Sequence, residues 1–179
     1  MRRKLHLLLF ITIAGVITLS QVKAQYYEHS AGIRLGGSYG LTYKKFFNES
    51  DAVEFLLGGR QDGLQLTATY LFNKPLNLSR NETFFLYYGA GGHLGYEKYP
   101  TKSLYNYPNN SPIPTIAEFY YENRSYFSMG IDAIIGLEYR FLTAPLTIGL
   151  DIKPYFSYIG YRYTRTDFWD TSLSVKYVF

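Results

Sequence analysis

The stretch PLTIGLDIKPYFSY, Pro145–Tyr158, decides the fold. Large apolar side chains fall on every second position for most of its length, and polar or small residues occupy the positions between them. A period of two is typical of a β-strand, because successive side chains of a strand point to opposite faces. The spacing therefore predicts a strand with an apolar face formed by Leu146, Ile148, Leu150, Ile152 and Phe156.

The same alternation recurs along the rest of the chain, and no stretch after residue 25 has the 3.6-residue period of an amphipathic helix. The sequence therefore predicts an all-β fold, an antiparallel up-and-down β-barrel of about eight strands. The expected strands cover residues 30–36, 40–47, 52–60, 64–72, 84–97, 127–141, 145–158 and 172–179.

The first 24 residues have the composition of an export signal. Arg2–Lys4 are basic, and Leu7–Leu19 form an apolar stretch of 13 residues. Val22 and Ala24 provide small side chains at positions −3 and −1 of a cleavage site. That stretch is shorter than the ~20 residues that a spanning helix needs. We expect residues 1–24 to be a cleaved signal peptide and residues 25–179 to form the barrel domain. The alternative is an uncleaved anchor or a buried helix.

The charge balance changes once the leader is set aside. The leader holds four of the 18 basic residues and no acidic residue, so the remainder carries 14 of each sign. The basic character is therefore no argument for nucleic acid as a partner. The chain contains no cysteine, which excludes a disulfide framework and a lipoprotein anchor. No residues have the spacing of zinc or calcium ligands, so no cofactor or metal is expected.

Alternation alone does not say which face meets the solvent, because a soluble lipocalin-like barrel turns its apolar face inward. Three features favour lipid. The expected strands are long enough to cross a bilayer at a tilt, aromatic residues gather at the strand ends, and the polar face is rich in glycine, which suits a narrow interior. If both termini lie in the periplasm, the long connections Lys98–Ser125 and Ile159–Trp169 both fall on the extracellular side, as outer-membrane barrels require.

The chain resembles a known class of proteins in its last strand, SLSVKYVF, and in three internal segments, Gly40–Lys44, Tyr88–His93 and Gly136–Arg140. These are similar to strand motifs of porin-family barrels, and the whole pattern resembles the small outer-membrane barrels of the OmpA and OmpX type. The resemblance implies an eight-stranded barrel in the outer membrane of a Gram-negative bacterium. It also implies that Val175, Tyr177 and Phe179 form the terminal signal read by the barrel-assembly machinery.

Charged residues are expected to project from the polar faces into the lumen, because an unpaired charge facing lipid is costly. Two functions suit such a set: a lumen plugged by ion pairs, which we favour because eight-stranded barrels have interiors filled by side chains, or a polar conduit. The predicted lumen network consists of Arg34, Lys44, Glu54, Arg60, Glu97, Asp132, Glu138, Arg140, Asp151, Lys153 and Lys176.

His93 is the one histidine inside an expected strand. Lipid hydrolases of barrel type use a serine–histidine arrangement, but no serine near His93 lies in a recognisable nucleophile motif. The strand period also points His93 into the lumen, away from a lipid substrate. We therefore expect a structural histidine and no enzymatic activity, although a triad is recognised by geometry and not by sequence position.

The long connection Lys98–Ser125 is rich in tyrosine and asparagine, which provide rigid contact area and adaptable hydrogen bonds in binding loops. It is either a recognition surface for an unidentified extracellular partner or a solvated cap over the barrel. The tyrosines expected to take part in recognition are Tyr99, Tyr105, Tyr107, Tyr120 and Tyr121.

Together these features predict a non-enzymatic outer-membrane barrel with a structural or surface-interaction role. Its expected partners are outer-membrane lipid and, during biogenesis, the barrel-assembly machinery. The alternatives are a narrow transport barrel for small or hydrophobic molecules and a lipid-modifying enzyme.

Overall fold

The structure, a computed structural model, describes residues 27–60, 63–76, 84–104, 119–160 and 163–179. These residues form one antiparallel sheet of ten strand segments. The segments are β1 (His29–Gly36), β2 (Tyr39–Phe46), β3 (Asp51–Arg60), β4 (Gly63–Leu76), β5 (Phe84–Leu104), β6 (Phe119–Arg140), β7 (Leu146–Ile152), β8 (Tyr155–Ile159), β9 (Tyr163–Asp167) and β10 (Thr171–Val178).

The sheet closes into a barrel because the pairing runs continuously around it and β5 also pairs with β6. Consecutive strands pair from β1 to β6, β6 pairs with both β7 and β8, and β10 joins β7 to β1. The segments β7 and β8 follow one another along the same partner, and β9 and β10 do the same. The molecule is therefore a closed eight-stranded antiparallel barrel, which confirms the predicted fold class and strand number.

The interruption between β7 and β8 has a simple cause in the sequence. Pro154 has no backbone N–H to donate to the ladder, so the regular pairing is broken there. The register on β6 is unchanged across the break, since Ile135 faces Ile152 and Asp132 faces Tyr155.

The interruption between β9 and β10 is a β-bulge. From Ile152 to Tyr155 one strand advances by three residues, while its partner advances by four from Asp167 to Thr171. The extra residue shifts the alternation of sides. Phe168 and Trp169 consequently both point outward, with 66% and 80% of their surfaces exposed, and Asp170 turns inward.

The two faces of the barrel have opposite character. On β4, Leu64, Leu66 and Tyr70 are exposed on the outer face, while Gln65 and Thr67 are buried inside. The other strands follow the same rule, as predicted from the alternation. A soluble barrel would bury its large apolar side chains, whereas here they cover the outside.

Both chain ends described by the structure lie at one end of the barrel, which we call the terminal end, together with the turn after β2 and the turn after β6. The opposite end, which we call the extended end, carries the continuation of β5 and β6 beyond their neighbours. In the described part of the chain, no helix is long and apolar enough to cross a membrane.

Three predicted connections are wrong where the structure describes them. β4 continues past its expected end at residue 72 to Leu76. β5 and β6 remain paired within the expected loop Lys98–Ser125, from Glu97↔Tyr126 up to Leu104↔Phe119. β9 lies inside the expected loop Ile159–Trp169. The alternation between apolar and polar residues marks only the part of a strand with one apolar face. A hairpin whose two faces are both polar or aromatic continues the backbone pairing without that signal.

The predicted signal peptide, residues 1–24, lies outside the described residues, as do Tyr105 and Tyr107 of the tyrosine-rich connection.

Candidate functional site: the barrel lumen

The lumen holds all eleven charged residues that the sequence places there. Ten of them are almost completely buried, and Arg140 is partly buried at the terminal end. Buried charges are tolerated only where partners compensate for the lost hydration. The contacts of these side chains therefore decide what the lumen can do, and they fall into two groups.

The terminal-end network consists of Lys44, Glu54, Glu138, Arg140 and Lys176. Lys44 Nζ lies 2.9 Å from Glu138 Oε2, and Lys176 Nζ lies 2.9 Å from Glu54 Oε1. Arg140 Nε lies 3.2 Å from Glu138 Oε1. Thr42 donates a further hydrogen bond to Glu54. Each carboxylate therefore has at least one cation and one additional donor or cation in contact with it.

Tyr27 closes this network at the terminal end. Its hydroxyl donates to Glu138 Oε1 at 2.7 Å, and its ring packs edge-on against Phe46 with the centroids 5.1 Å apart. Burial, with the nearby Glu138 carboxylate, raises the pKa of the Tyr27 hydroxyl well above its usual value. Phe46 is an aromatic residue at a strand end, where the sequence predicts an outward position, but it lies inside because its position on β2 has the same parity as Lys44.

The extended-end network contains two further ion pairs. Arg34 Nη2 lies 2.7 Å from Asp151 Oδ1, which also accepts a hydrogen bond from Ser172. Arg60 Nη2 lies 2.9 Å from Asp170 Oδ2. Asp170 also accepts hydrogen bonds from the backbone N–H and the hydroxyl of Ser38, at 2.8 and 2.7 Å.

Sequence reasoning missed Asp170, although a signal for it was present. Asp170 continues the alternation of Ser172, Ser174 and Lys176 by one further step. Asp170 lies between the expected loop Ile159–Trp169 and the expected strand 172–179, and the alternation breaks at Phe168 and Trp169. The bulge explains this break, since it places both aromatic residues on the same side.

Next to these pairs, three side chains form a hydrogen-bonded series. Asp132 Oδ2 lies 2.7 Å from His93 Nδ1, and His93 Nε2 lies 2.7 Å from Ser157 Oγ. The exposed fractions are 3% for Asp132, 2% for His93 and 0% for Ser157. The other oxygen of Asp132 lies 3.5 Å from Lys153 Nζ. The order carboxylate, imidazole, hydroxyl is that of a serine nucleophile with its base and its orienting acid.

The series is possible because of Gly130. His93 on β5 and Ser157 on β8 both stand opposite Gly130 on the intervening β6, so they lie at one level on three neighbouring strands. A Cβ on residue 130 would come within 2.7 Å of His93 Cε1 and 2.9 Å of Nε2. The absent side chain leaves the space through which the imidazole reaches across β6 to the serine.

The sequence therefore identified His93 but not its partner. Ser157 lies in no nucleophile motif, and 64 residues separate it from His93. The parity of each strand places both side chains inward, but only the register of β5, β6 and β8 brings them to the same level.

The remaining predicted lumen residue, Glu97, accepts a hydrogen bond of 3.0 Å from Ser128 at the extended end. Among the described residues, no group of three or more histidine, cysteine, aspartate or glutamate side chains is arranged to hold a metal ion.

Of the five tyrosines expected in the recognition loop, the structure describes three. Tyr99, Tyr120 and Tyr121 lie in the extended part of the hairpin, paired with Arg124, Ser103 and Lys102. The terminal-signal residues lie on the outer face of β10 and at the end of the chain: Val175 and Phe179 are exposed, and the rings of Tyr177 and Phe179 stack with centroids 6.2 Å apart.

Comparison with known protein families finds no family that matches this chain. Comparison with curated proteins likewise finds no match. Among solved structures, the chain is similar to the N-terminal β-barrel domain of Pseudomonas aeruginosa OprF. The alignment has a TM-score of 0.48 and 14% sequence identity, and it covers 84% of this chain and 95% of that one.

The likeness concerns the fold alone. The description of this chain as a closed eight-stranded barrel rests on its own strand pairing.

Proposed function

We propose that this protein is an integral barrel of a bacterial outer membrane, with a plugged lumen and a projecting hairpin for contacts at the cell surface. The observation that carries the proposal is the reversal of the usual distribution of side chains. Large apolar residues are exposed around the outside, while charged residues are buried inside. Such a continuous apolar surface is unfavourable in water and favourable in lipid.

The aromatic side chains support the same location. Exposed aromatic residues lie near both ends of the outer face, as in the interfacial girdles of membrane barrels. Those near the terminal end include Phe47, Phe72, Phe84 and Phe179, and those near the extended end include Tyr39, Tyr96, Phe127, Tyr158, Phe168 and Trp169.

The lumen contacts favour a plug over a conduit. The two networks fill the interior with paired charges, and bulky side chains such as Tyr27, Tyr87 and Leu71 are buried among them. Eight-stranded barrels have just enough interior for side chains. The purified protein is therefore expected to show no stable openings in a planar lipid bilayer. Sustained single-channel conductance would instead support the narrow transport barrel.

The hairpin formed by the ends of β5 and β6 is the candidate surface for partners. Eight registered pairs, from Glu97↔Tyr126 to Leu104↔Phe119, extend past the last described pairs with β4 and β8. At about 3.4 Å per residue, this part of the hairpin extends roughly 25 Å along the strand direction beyond the described pairs with β4 and β8. Strand edges can recruit an extended peptide through backbone hydrogen bonds, so this hairpin suits recognition of a protein partner.

Heat modifiability tests the barrel itself. Protein extracted from the outer-membrane fraction should migrate differently on a gel before and after boiling, because a closed barrel resists detergent until it is heated. Recovery as a soluble periplasmic protein with no mobility shift would contradict the proposal.

Cysteine labelling on intact cells tests the orientation, and the chain has no cysteine of its own to interfere. Ser125→Cys at the extended end should react with an impermeant maleimide. The matched variant Glu49→Cys, in the exposed turn at the terminal end, should be protected until the cells are opened. The reverse pattern would mean that the hairpin faces the periplasm.

A further inference from the structure

The series of Ser157, His93 and Asp132 is not accounted for by a plugged barrel. Three other inward serines have simpler partners: Ser128 donates to Glu97, Ser172 to Asp151 and Ser174 to the backbone oxygen of Gly149. Ser157 instead contacts an imidazole whose second nitrogen is held by a carboxylate. We propose that these three residues form a nucleophilic site that accepts an acyl group from a carboxylic ester entering through the extended end of the lumen.

The geometry assigns a role to each side chain. An ionised Asp132 accepts a hydrogen bond from His93 Nδ1–H, which leaves Nε2 with its lone pair directed at the Ser157 hydroxyl. His93 is thus held in the tautomer of a general base. Lys153 Nζ lies 3.5 Å from the other oxygen of Asp132, so a cation stands beside the orienting group.

The reaction balances without any further reagent except water. Ser157 Oγ bonds to the ester carbonyl carbon while its proton passes to His93 Nε2. The bond from that carbon to the alkoxy oxygen then breaks, and the proton moves from His93 to the departing alcohol. A water molecule attacks the acyl-serine, His93 takes its proton and returns it to Oγ, and the carboxylic acid leaves.

Arg60 is available to stabilise the negative oxygen that forms on the carbonyl. Its guanidinium lies 3.5 Å above the ring of Tyr155, and that ring lies edge-on to His93 with the centroids 6.1 Å apart. One guanidinium nitrogen, Nη1, is buried without a hydrogen-bond partner among the described residues. A buried donor with a free N–H in this part of the lumen is the kind of group that can bind a developing oxyanion.

The position of Ser157 limits what can react. On β8 only one inward-facing residue, Ile159, lies between Ser157 and the end of the strand. The site is therefore close to the extended end, yet Ser157 is fully covered in the resting barrel. An eight-stranded lumen is narrow, so the site favours an ester with a slender, unbranched acyl group. As it enters, this group displaces the side chains that cover Ser157.

An alkyl fluorophosphonate probe tests the site directly, because it forms a stable adduct with an activated serine. The purified full-length barrel in detergent micelles is treated with the probe, the heat-modifiable band is isolated, and the adduct is located by peptide mass spectrometry. We expect the adduct on Ser157. Absence of an adduct on Ser157 in the folded wild-type barrel overturns the proposal.

Two variants separate activation from simple exposure. Asp132→Asn should slow labelling by roughly 10²–10⁴-fold, the usual contribution of a general base, because it no longer holds His93 in the required tautomer. Ser128→Ala is the matched control, since Ser128 is equally buried and contacts no histidine; its labelling rate should equal that of the wild type. Equal rates in wild type and Asp132→Asn would contradict the role of the series.

Access is measured independently with Ser157→Cys. A methanethiosulfonate reagent should modify the thiol in the folded barrel, and complete protection would overturn entry from the extended end. Heat modifiability is unaffected by either result, so failure of this site and failure of the proposed barrel function are distinguishable.

Discussion

The two ends of the lumen use buried charge in different ways. At the terminal end, Glu54 and Glu138 contact lysines at 2.9 Å and accept further hydrogen bonds from Thr42 and Tyr27. At the extended end, Asp132 contacts a histidine at 2.7 Å and its lysine only at 3.5 Å. The first arrangement neutralises charge and stabilises the barrel, whereas the second leaves an imidazole directed at a hydroxyl.

On the two proposals made above, the terminal end would act as the plug and the extended end would carry the chemistry. Both networks join strands that are not neighbours in the sheet: Lys44 on β2 contacts Glu138 on β6, and Arg34 on β1 contacts Asp151 on β7. Substitutions can test the division, because removing a charge at the terminal end should affect stability before anything else.

The largest effect is expected from Glu138→Leu. This change leaves Lys44 without its partner and removes the acceptor of Arg140 and Tyr27. An uncompensated buried charge typically lowers stability by about 3–5 kcal/mol. Urea unfolding of the barrel in lipid vesicles, followed by the fluorescence of the single tryptophan, Trp169, measures the change. A loss below 1 kcal/mol would mean that water reaches this end and that the plug is open.

A charge on the outer face should have the next largest effect. Ile135 is exposed on the outside of β6, within the region that we assign to lipid. Ile135→Arg should lower the free energy of unfolding in vesicles by about 2–4 kcal/mol, the usual cost of arginine near the bilayer midplane. Tolerance of this arginine, measured by the same urea titration, would contradict a lipid-facing outer surface.

Thr42→Val tests a single hydrogen bond of the terminal-end network. The substitution keeps the shape of the side chain but removes the donor to Glu54. Hydrogen bonds to charged groups contribute about 1.5–3 kcal/mol, and the remaining contact with Lys176 should keep the loss near the lower limit. An unchanged free energy of unfolding would show that Lys176 alone satisfies the carboxylate.

The smallest effect is expected at the exposed pair of Glu122 and Arg124 on the hairpin. Arg124 Nη2 lies 3.1 Å from Glu122 Oε2, but about half of each side chain is exposed. Surface pairs contribute about 0.2–1 kcal/mol and are screened by salt. Glu122→Gln should therefore leave the urea midpoint nearly unchanged, and any small shift should vanish at high salt.

Much of the fold could be predicted from the sequence because the strand period reports directly on the two faces of a barrel. Each residue of a barrel strand is either lipid-facing or lumen-facing. The faces of β6, which contains Gly136, and of β7, which contains Gly149, were therefore predicted correctly. The hairpin beyond Glu97 could not be predicted in the same way, because outside the apolar zone neither face must be apolar.

The sequence by itself determined the class of barrel, the number of its strands and, apart from Asp170, the charges described inside it, since each of these follows from the alternation within successive strands. The tertiary structure decided which charges meet, because pairing across the lumen depends on strand register and on the level of each residue in the barrel. It alone placed Asp170 opposite Arg60 and brought His93 across Gly130 to Ser157. A shift of one residue in any of these strands would turn those side chains to the other face, and no pattern within a single strand records that choice.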